Sequence, residues 1–361
     1  MMNLHSSKDA FKVLLDDIHT RTGYRLDVLE KDYYVVLMLE ELADKQSSGL
    51  QAYFKGGTAL YKALKTTNRF SEDIDLSVDT RDCSRSQNDK RLEQASKKYS
   101  ALPRSPEEGR TNRSEVISVY HYDPVVPYDS DDALQRFGKL KIEANSFTIS
   151  EPVTELEISA MIYDLANEQQ KRILEDMYDV KPFKIKTITI ERIFIDKLFA
   201  AEAYVRKSSD PHRAFEAAKH IYDLAVMSQH PSITALYGNN ELMKKLIDIR
   251  MEEEQDRLDG IPGVEPHEFT FFKKSETNNA VISAYKTMQN QYVLRKSDRI
   301  EFEQAVECLH YISERLNSNP VWNKNLSQPE RQSVLKRLEE AQKEQIKVNK
   351  PKTPKKDHGA R

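Results

Sequence analysis

Two aspartates, Asp73 and Asp75, give the clearest chemical signal in the sequence. They lie in the segment Arg69–Val78, where polar and apolar residues alternate as they do in a β-strand. Because residues i and i+2 of a strand project from the same face, the two carboxylates are expected side by side. Adjacent carboxylates repel each other unless a cation lies between them. A hard dication such as Mg²⁺, which takes oxygen ligands, is the natural candidate, with Mn²⁺ as an alternative.

A glycine pair, Gly56 and Gly57, precedes the two acids. The β-prone segment Ala52–Lys55 runs into the glycines, and the helix-compatible run Thr58–Lys65 follows them. Glycine lets the backbone approach a polyphosphate closely, and a helix N-terminus offers free N–H groups to it. Taken alone, the glycines also fit a simple turn, and the aspartates also fit a solvated strand face. Their combination in one strand–glycine–helix–strand unit favours a nucleotide site.

The segment Phe54–Val78 resembles the first motif of the AbiEii-type nucleotidyltransferases. These are toxin components of bacterial abortive-infection and toxin–antitoxin pairs, within the DNA polymerase β-like superfamily. The resemblance lies in GGTAL from Gly56 and in the ending RFSEDIDL, and it implies that Asp73 and Asp75 bind metal. Many members have Gly-Ser at the glycine pair, so any role of that serine hydroxyl is absent here or passes to Thr58.

A second alternating segment, Lys139–Phe147, places Lys141 and Glu143 on one polar face. It resembles the second motif of the family, in which a lysine and an acid are two residues apart. The superfamily adds a third carboxylate from a neighbouring strand to the metal site, and the resemblance implies that Glu143 supplies it. The alternative is a cross-strand ion pair between Glu143 and a basic residue.

A helix is predicted from about Ile190 to Lys207, with Thr189 as its N-cap. Lys197 falls in the middle of the apolar stripe of this helix, where a lysine must extend to solvent, pair with an acid or reach into a cleft. The sequence ERIFIDKLFAAEAY resembles the third family motif, whose lysine contacts the nucleotide phosphates. The resemblance therefore favours the cleft.

The next predicted helix, His212–Ser228, contains HIYDL, which resembles the fourth family motif and implies a catalytic role for Asp223. Helical periodicity places Asp223 on the polar side, where an ion pair with Lys219 is an equally simple prediction. Near the N-terminus, Glu30–Tyr33 resembles the opening helix of the family, and acids in a first turn favour the helix dipole.

The resemblance completes a set of candidate site residues. The metal ligands are Asp73, Asp75 and Glu143; the nucleotide-binding residues are Lys55, Gly56, Gly57, Thr58, Ser71, Lys141 and Lys197; the catalytic residues are Asp73, Asp75, Lys197 and Asp223.

The composition limits the function classes. The net charge of −3 over 361 residues shows no global basic signature, so nucleic-acid binding would depend on local patches. Two cysteines, far apart in sequence, are too few for a disulfide framework and favour a reducing, cytoplasmic location. The chain has no run of 18 apolar residues and no apolar signal segment, so we expect neither a membrane span nor secretion by that route.

The predicted fold class is α/β (α+β): a nucleotidyltransferase-type mixed sheet with flanking helices, followed by a mostly helical domain. We place the first domain at residues 1–165, the helical domain at 166–346 and a disordered basic tail at 347–361. The first domain includes a polar basic insertion at residues 81–113, with nine Arg or Lys against five acids. This insertion is either a solvated face or a track for RNA or triphosphate, with Tyr99 available to stack on a base.

The implied reaction is transfer of a nucleotide from an NTP to an acceptor hydroxyl with release of pyrophosphate. The resemblance further implies that the acceptor is RNA, in particular tRNA, and that a cognate antitoxin protein accompanies the toxin. Two other interpretations remain. A metal-dependent nuclease would use the same acids to activate water, and a binding module would keep the fold without catalysis.

Overall fold

One mixed β-sheet organises the part of the chain that the structure describes. The structure is a computed structural model that describes residues 3–65, 69–127, 137–257 and 260–323. Seven strands form the sheet in these residues, in the order β3-β4-β5-β2-β1-β7-β6. The strands are β1 (Ala52–Lys55), β2 (Ile74–Val78), β3 (Arg104–Thr111), β4 (Glu115–His121), β5 (Lys139–Asn145), β6 (Val153–Ile158) and β7 (Phe183–Ile188). The predicted α/β fold class is confirmed.

Helices precede, interrupt and follow the sheet. They are α1 (Lys8–Thr22), α2 (Leu26–Ser47), α3 (Gly56–Lys62), α4 (Arg85–Ser96), α5 (Met161–Asp164), α6 (Glu168–Tyr178), α7 (Ile190–Arg206), α8 (Pro211–Met227), α9 (Pro231–Leu236), α10 (Asn240–Glu253), α11 (Phe271–Thr277), α12 (Asn279–Tyr292) and α13 (Phe302–Asn317). The domain division at residues 165 and 166 stays a prediction, and β7 lies beyond it in the same sheet. The predicted tail at residues 347–361 is outside the described residues.

Strand β2 is the fourth of the seven strands in the sheet, and its two faces differ in polarity. It pairs antiparallel with β1 and parallel with β5. Ile74 and Leu76 are buried on one face, whereas Asp75 projects from the other. The predicted alternation is present from Ile74 to Leu76, and it places Asp75 between two neighbouring strands. The strand begins only at Ile74, so Asp73 directly precedes it, and Ser77 is buried.

Helix α2 contains three consecutive charged residues that are almost fully buried: Glu30, Lys31 and Asp32, at 2, 2 and 1% exposure. Their sequence pattern alone indicated only acids in a first turn. Burial of three adjacent charges requires a partner for each one, because an unpaired buried charge is costly. The three side chains point in directions about 100° apart around the helix, so each contacts a different part of the protein.

Glu30 gives a testable pH dependence. Its carboxylate accepts hydrogen bonds from the backbone N–H groups of Val125 (2.6 Å) and Val126 (3.4 Å). Burial raises the pKa of Glu30 from 4.5 to about 7; Asp27 adds to this, while the two N–H groups and Lys8 oppose it. The folded state therefore holds a proton that the unfolded state releases, and the contribution of Glu30 to the free energy of unfolding falls as pH rises from about 4.5 to 7.

We expect Glu30→Gln to flatten this part of the stability curve. The measurement is the midpoint of urea unfolding for both proteins between pH 4.5 and 8. Parallel curves for the two proteins would show that Glu30 has the same pKa folded and unfolded.

In the described part of the chain, no helix is long and apolar enough to cross a membrane.

Candidate active site

Three neighbouring strands bring Lys55, Asp75 and Glu143 into one row. Lys55 of β1 lies opposite Asp75 of β2, and Asp75 lies opposite Glu143 of β5. Side chains at paired positions share a face of the sheet, so the row combines one cation with two acids. The structure thus brings Glu143 next to the D-x-D motif, as the family resemblance implied.

Lys141 connects Glu143 to the first aspartate. Its ammonium lies 2.6 Å from Oε1 of Glu143 and 3.1 Å from Oδ2 of Asp73. Burial alone would lower the pKa of Lys141, but the two carboxylates raise it well above its usual value. Glu143 is therefore in an ion pair, but its partner lies in its own strand, whereas the alternative interpretation expected a residue across the sheet.

Asp75 lies against the glycine turn. A Cβ on Gly56 would overlap its carboxylate, and Gly56 has a positive φ of 76°, so glycine is required there for both space and backbone conformation. Burial raises the pKa of Asp75 to about 7, with further contributions from Glu143 and Asp73, against the opposing effect of Lys55 and Lys141. Three carboxyl groups and two lysines therefore lie together in this site.

The segment before β2 is fixed by Thr58 of α3. The Thr58 hydroxyl donates to the carbonyl oxygen of Asp73 (2.5 Å) and lies 3.0 Å from the hydroxyl oxygen of Ser71. Thr58 is fully buried. Its hydroxyl therefore holds the D-x-D segment in place, which does not support direct contact between that hydroxyl and a nucleotide.

A second charged group lies beside the glycine turn and consists of Arg69, Lys197 and Asp223. Arg69 donates to both carboxylate oxygens of Asp223, at 3.0 and 2.9 Å. The Lys197 ammonium lies 2.6 Å from Oδ2 of Asp223. A Cβ on Gly57 would lie 2.8 Å from Nη2 of Arg69, so the guanidinium is next to the turn. Two cations therefore share one carboxylate close to the glycine pair.

Asp223 is fully buried, which corrects the prediction of a polar helix side and an ion pair with Lys219. Lys219 pairs with Glu216 (2.7 Å). Burial alone would raise the pKa of Asp223, but Arg69 and Lys197 hold it well below its usual range. Helical periodicity missed this role because the partner cation, Arg69, is 154 positions away in sequence.

Of the three alternatives predicted for Lys197, the structure shows the pairing with an acid, and a cleft at Lys197 stays a prediction. Its ammonium pairs with Asp223, which also pairs with Arg69. The Arg69 guanidinium in turn lies beside Gly57 of the glycine turn. Burial, and then Lys197, lower the pKa of the neighbouring His220 well below its usual value, which favours the neutral ring. The His220 ring stacks on that of Tyr204, with the ring centroids 5.4 Å apart.

Lys55 lies on the other side of Asp75, with its ammonium 3.4 Å from the side-chain oxygens of Asn145 and Thr148. Burial and then Arg257 lower its pKa, whereas Asp196 and Asp75 raise it. Sequence reasoning missed Asp196 and Arg257 as neighbours of the site.

The basic insertion at residues 81–113 forms regular structure, in α4 and β3. Arg91 bonds to Gln51 (2.9 Å) and pairs with Asp82 (3.1 Å), so it is already engaged. Tyr99 is buried and its hydroxyl donates to the carbonyl oxygen of Ala95, so the expectation that it is available to stack on a base is wrong.

The donor chemistry of the site fits a hard dication. Asp73, Asp75 and Glu143 supply carboxylate oxygens, which Mg²⁺ and Mn²⁺ prefer. Within the described residues, however, no three His, Cys, Asp or Glu side chains already stand in the arrangement of a metal site. Lys141 occupies the space between two of the three acids.

The sequence places this α/β fold in the nucleotidyltransferase class. The sequence matches the family described as "Nucleotidyl transferase AbiEii toxin, Type IV TA system" over residues 38–308. The chain belongs to this family and is a nucleotidyltransferase toxin, which uses an NTP and has an antitoxin partner.

Similar solved structures include MenT4, a nucleotidyltransferase toxin from Mycobacterium tuberculosis H37Rv, at 13% identity and a TM-score of 0.45, covering 86% of this chain and 98% of that one. JHP933 from Helicobacter pylori is similar at 16% identity and a TM-score of 0.37, covering 84% of this chain and 98% of that one. No curated protein matches the sequence significantly.

Proposed function

We propose that this toxin transfers a nucleotidyl group from an NTP to the hydroxyl of an RNA, in particular a tRNA, in a reaction that depends on Mg²⁺ or Mn²⁺ and takes place in the cytoplasm. The observation that carries the proposal is the separation of charge around the glycine turn. On one side, Asp73, Asp75 and Glu143 outnumber their lysine partners. On the other, Arg69 and Lys197 share one acid.

The cationic side suits the phosphates of the NTP. Asp223 carries one negative charge and contacts two positive groups, the Arg69 guanidinium and the Lys197 ammonium, in a buried environment. Electrostatic attraction is strong where water is largely excluded, so an anion that reaches this place is bound well. In this proposal Lys197 and Arg69 contact the β- and γ-phosphates, and the backbone of Gly56 and Gly57 lies close to them.

The acidic side suits the metal. Asp73 and Asp75 would hold it, with Glu143 as a third oxygen ligand. When bound there, a dication would supply Lewis-acid chemistry, offsetting negative charge on the NTP phosphates. Lys141 neutralises part of this acidic group in the protein alone, which explains how Asp73 and Glu143 are tolerated close together.

The reaction forms a bond between the acceptor oxygen and the α-phosphorus and breaks the bond to the bridging oxygen, so pyrophosphate leaves. Negative charge develops on that leaving oxygen. Lys197 and Arg69 are in place before the reaction and need little rearrangement to stabilise this charge. Within the described part of the chain, the Asp223 carboxylate pairs with these two cations only, so we assign it a positioning role in place of the catalytic role that the resemblance implied.

The test is incubation of the protein with each of the four α-labelled NTPs, Mg²⁺ and total RNA, followed by gel electrophoresis. We expect label from at least one NTP in a discrete RNA band, and loss of that label with EDTA. Shortened RNA without incorporated label would instead support the nuclease. Neither product, from a protein that binds NTP, would contradict transfer to RNA.

A further inference from the structure

Helix α2 reaches the site from outside it, through Lys31 and Asp32. Lys31 contacts Lys139 and Glu72, and Asp32 contacts Lys62 and Met161. Each of them contacts segments that carry site residues. The burial of two opposite charges side by side on one helix, aimed at different segments, calls for an explanation beyond helix packing.

Lys31 joins the two segments that lead into the acid-bearing strands. Its ammonium donates to the carbonyl oxygen of Lys139, the first residue of β5. It also pairs with Glu72, whose Oε2 lies 3.7 Å away. Glu72 directly precedes Asp73, and β5 carries Glu143. One buried ammonium thus spans the start of the two strands whose acids form the acidic side of the site.

Asp32 holds the third segment. It pairs with Lys62, the last residue of α3, at 2.8 Å, and accepts a hydrogen bond from the backbone N–H of Met161 at 2.6 Å. Helix α3 begins at Gly56. Because α3 is only seven residues long, fixing its last residue also limits the movement of the glycine turn.

We propose that Lys31 is a positioning residue for the metal-binding acids, and that it sets the separation between Asp73 and Glu143. A buried ion pair is weak evidence for stability, since apolar residues of similar size often serve as well. What an apolar side chain cannot do is bond to both Lys139 and Glu72 and so fix their relative position. The inference rests on the proposed role of the acids as metal ligands.

The test compares Lys31→Met with Glu30→Gln. The two positions are adjacent on α2 and equally buried, but Glu30 contacts the backbone at residues 125 and 126, away from the strands that carry the acids. Mn²⁺ affinity is measured by electron paramagnetic resonance on the full chain without nucleotide. We expect Lys31→Met to weaken Mn²⁺ binding by about tenfold to a hundredfold, the usual effect of losing a residue that orients metal ligands, and Glu30→Gln to leave it unchanged.

A further variant covers the case in which Lys31→Met does not fold. Glu72→Gln keeps the ammonium and its bond to Lys139 while removing the charge that pairs with it, and we expect a smaller loss of Mn²⁺ affinity. Unchanged Mn²⁺ affinity in folded Lys31→Met overturns the proposal. If Lys31→Met does not fold, unchanged Mn²⁺ affinity in Glu72→Gln overturns it. An equal loss of Mn²⁺ affinity in Glu30→Gln overturns it as well. A wild-type protein that binds no Mn²⁺ overturns it too.

The assay with labelled NTP distinguishes failure of the proposed role of Lys31 from failure of the proposed function. Transfer of label together with equal Mn²⁺ affinities would refute the role of Lys31 alone. A wild-type protein that binds Mn²⁺ but transfers nothing would refute the proposed function and leave the comparison of affinities valid.

Discussion

Asp75→Asn is expected to abolish nucleotidyl transfer while the fold remains as stable as before, or becomes slightly more stable. Burial, Glu143 and Asp73 all disfavour the charged form of Asp75, which is why its pKa is raised to about 7. An uncharged amide of the same size relieves this repulsion. Residues that merely orient metal ligands cost about tenfold to a hundredfold in activity when changed, so loss of a ligand should cost at least about a hundredfold.

Asp79→Asn is the matched control, because Asp79 follows β2 directly and its carboxylate accepts hydrogen bonds from the exposed guanidinium of Arg81. Both variants are compared by incorporation of α-labelled nucleotide and by thermal unfolding. A folded Asp75→Asn protein that still transfers nucleotide at the wild-type rate would refute the metal assignment. An equal loss of nucleotide transfer in Asp75→Asn and Asp79→Asn would indicate a general effect of removing negative charge near this strand.

Lys197→Met is expected mainly to weaken NTP binding, whereas Asp223→Asn is expected mainly to lower the free energy of unfolding. Met keeps the packing of the lysine stem, and Arg69 still makes two hydrogen bonds to Asp223, so we expect little change in thermal stability. Binding of NTP should weaken by about 1.5–3 kcal/mol, the range for a hydrogen bond to a charged group, or about tenfold to a hundredfold.

Asp223→Asn removes the anion that two buried cations share. Breaking a buried ion pair in this way costs about 3–5 kcal/mol, so the main expected effect is a lower unfolding free energy. Transfer should be reduced but measurable at temperatures where the protein is folded, because Asp223 orients the cations and does not contact the substrate.

The measurements are urea unfolding and NTP affinity by calorimetry, with Lys219→Met as a control that removes a lysine paired on the surface of α8. If Asp223→Asn were fully stable and wholly inactive, Asp223 would be a catalytic acid and the positioning role would be wrong. If Lys197→Met unfolded the protein, the lysine would be structural. Normal affinity in a stable Lys197→Met protein would place the phosphates elsewhere.

The sequence alone determined the features that repeat along one strand or one helix. Alternation predicted that Asp73 and Asp75 accompany a strand with one buried face, and β2 has that face. Helical spacing placed Lys197 among buried residues, and it is buried in α7. These predictions succeed because the direction of a side chain relative to its own element depends only on local backbone geometry.

The tertiary structure decided which charges meet. Arg69 and Asp223 are far apart in sequence, and their contact depends on how α8 packs against the segment before β2. The charged run in α2 resembled a first turn whose acids favour the helix dipole, whereas in the structure three separate segments contact its side chains. A charge is tolerated inside a protein only when its partners are supplied by the packing, and packing is a property of the whole chain. Local pattern therefore located the acids and the position of Lys141 beside Glu143, and only the assembled fold showed that Arg69 accompanies Asp223.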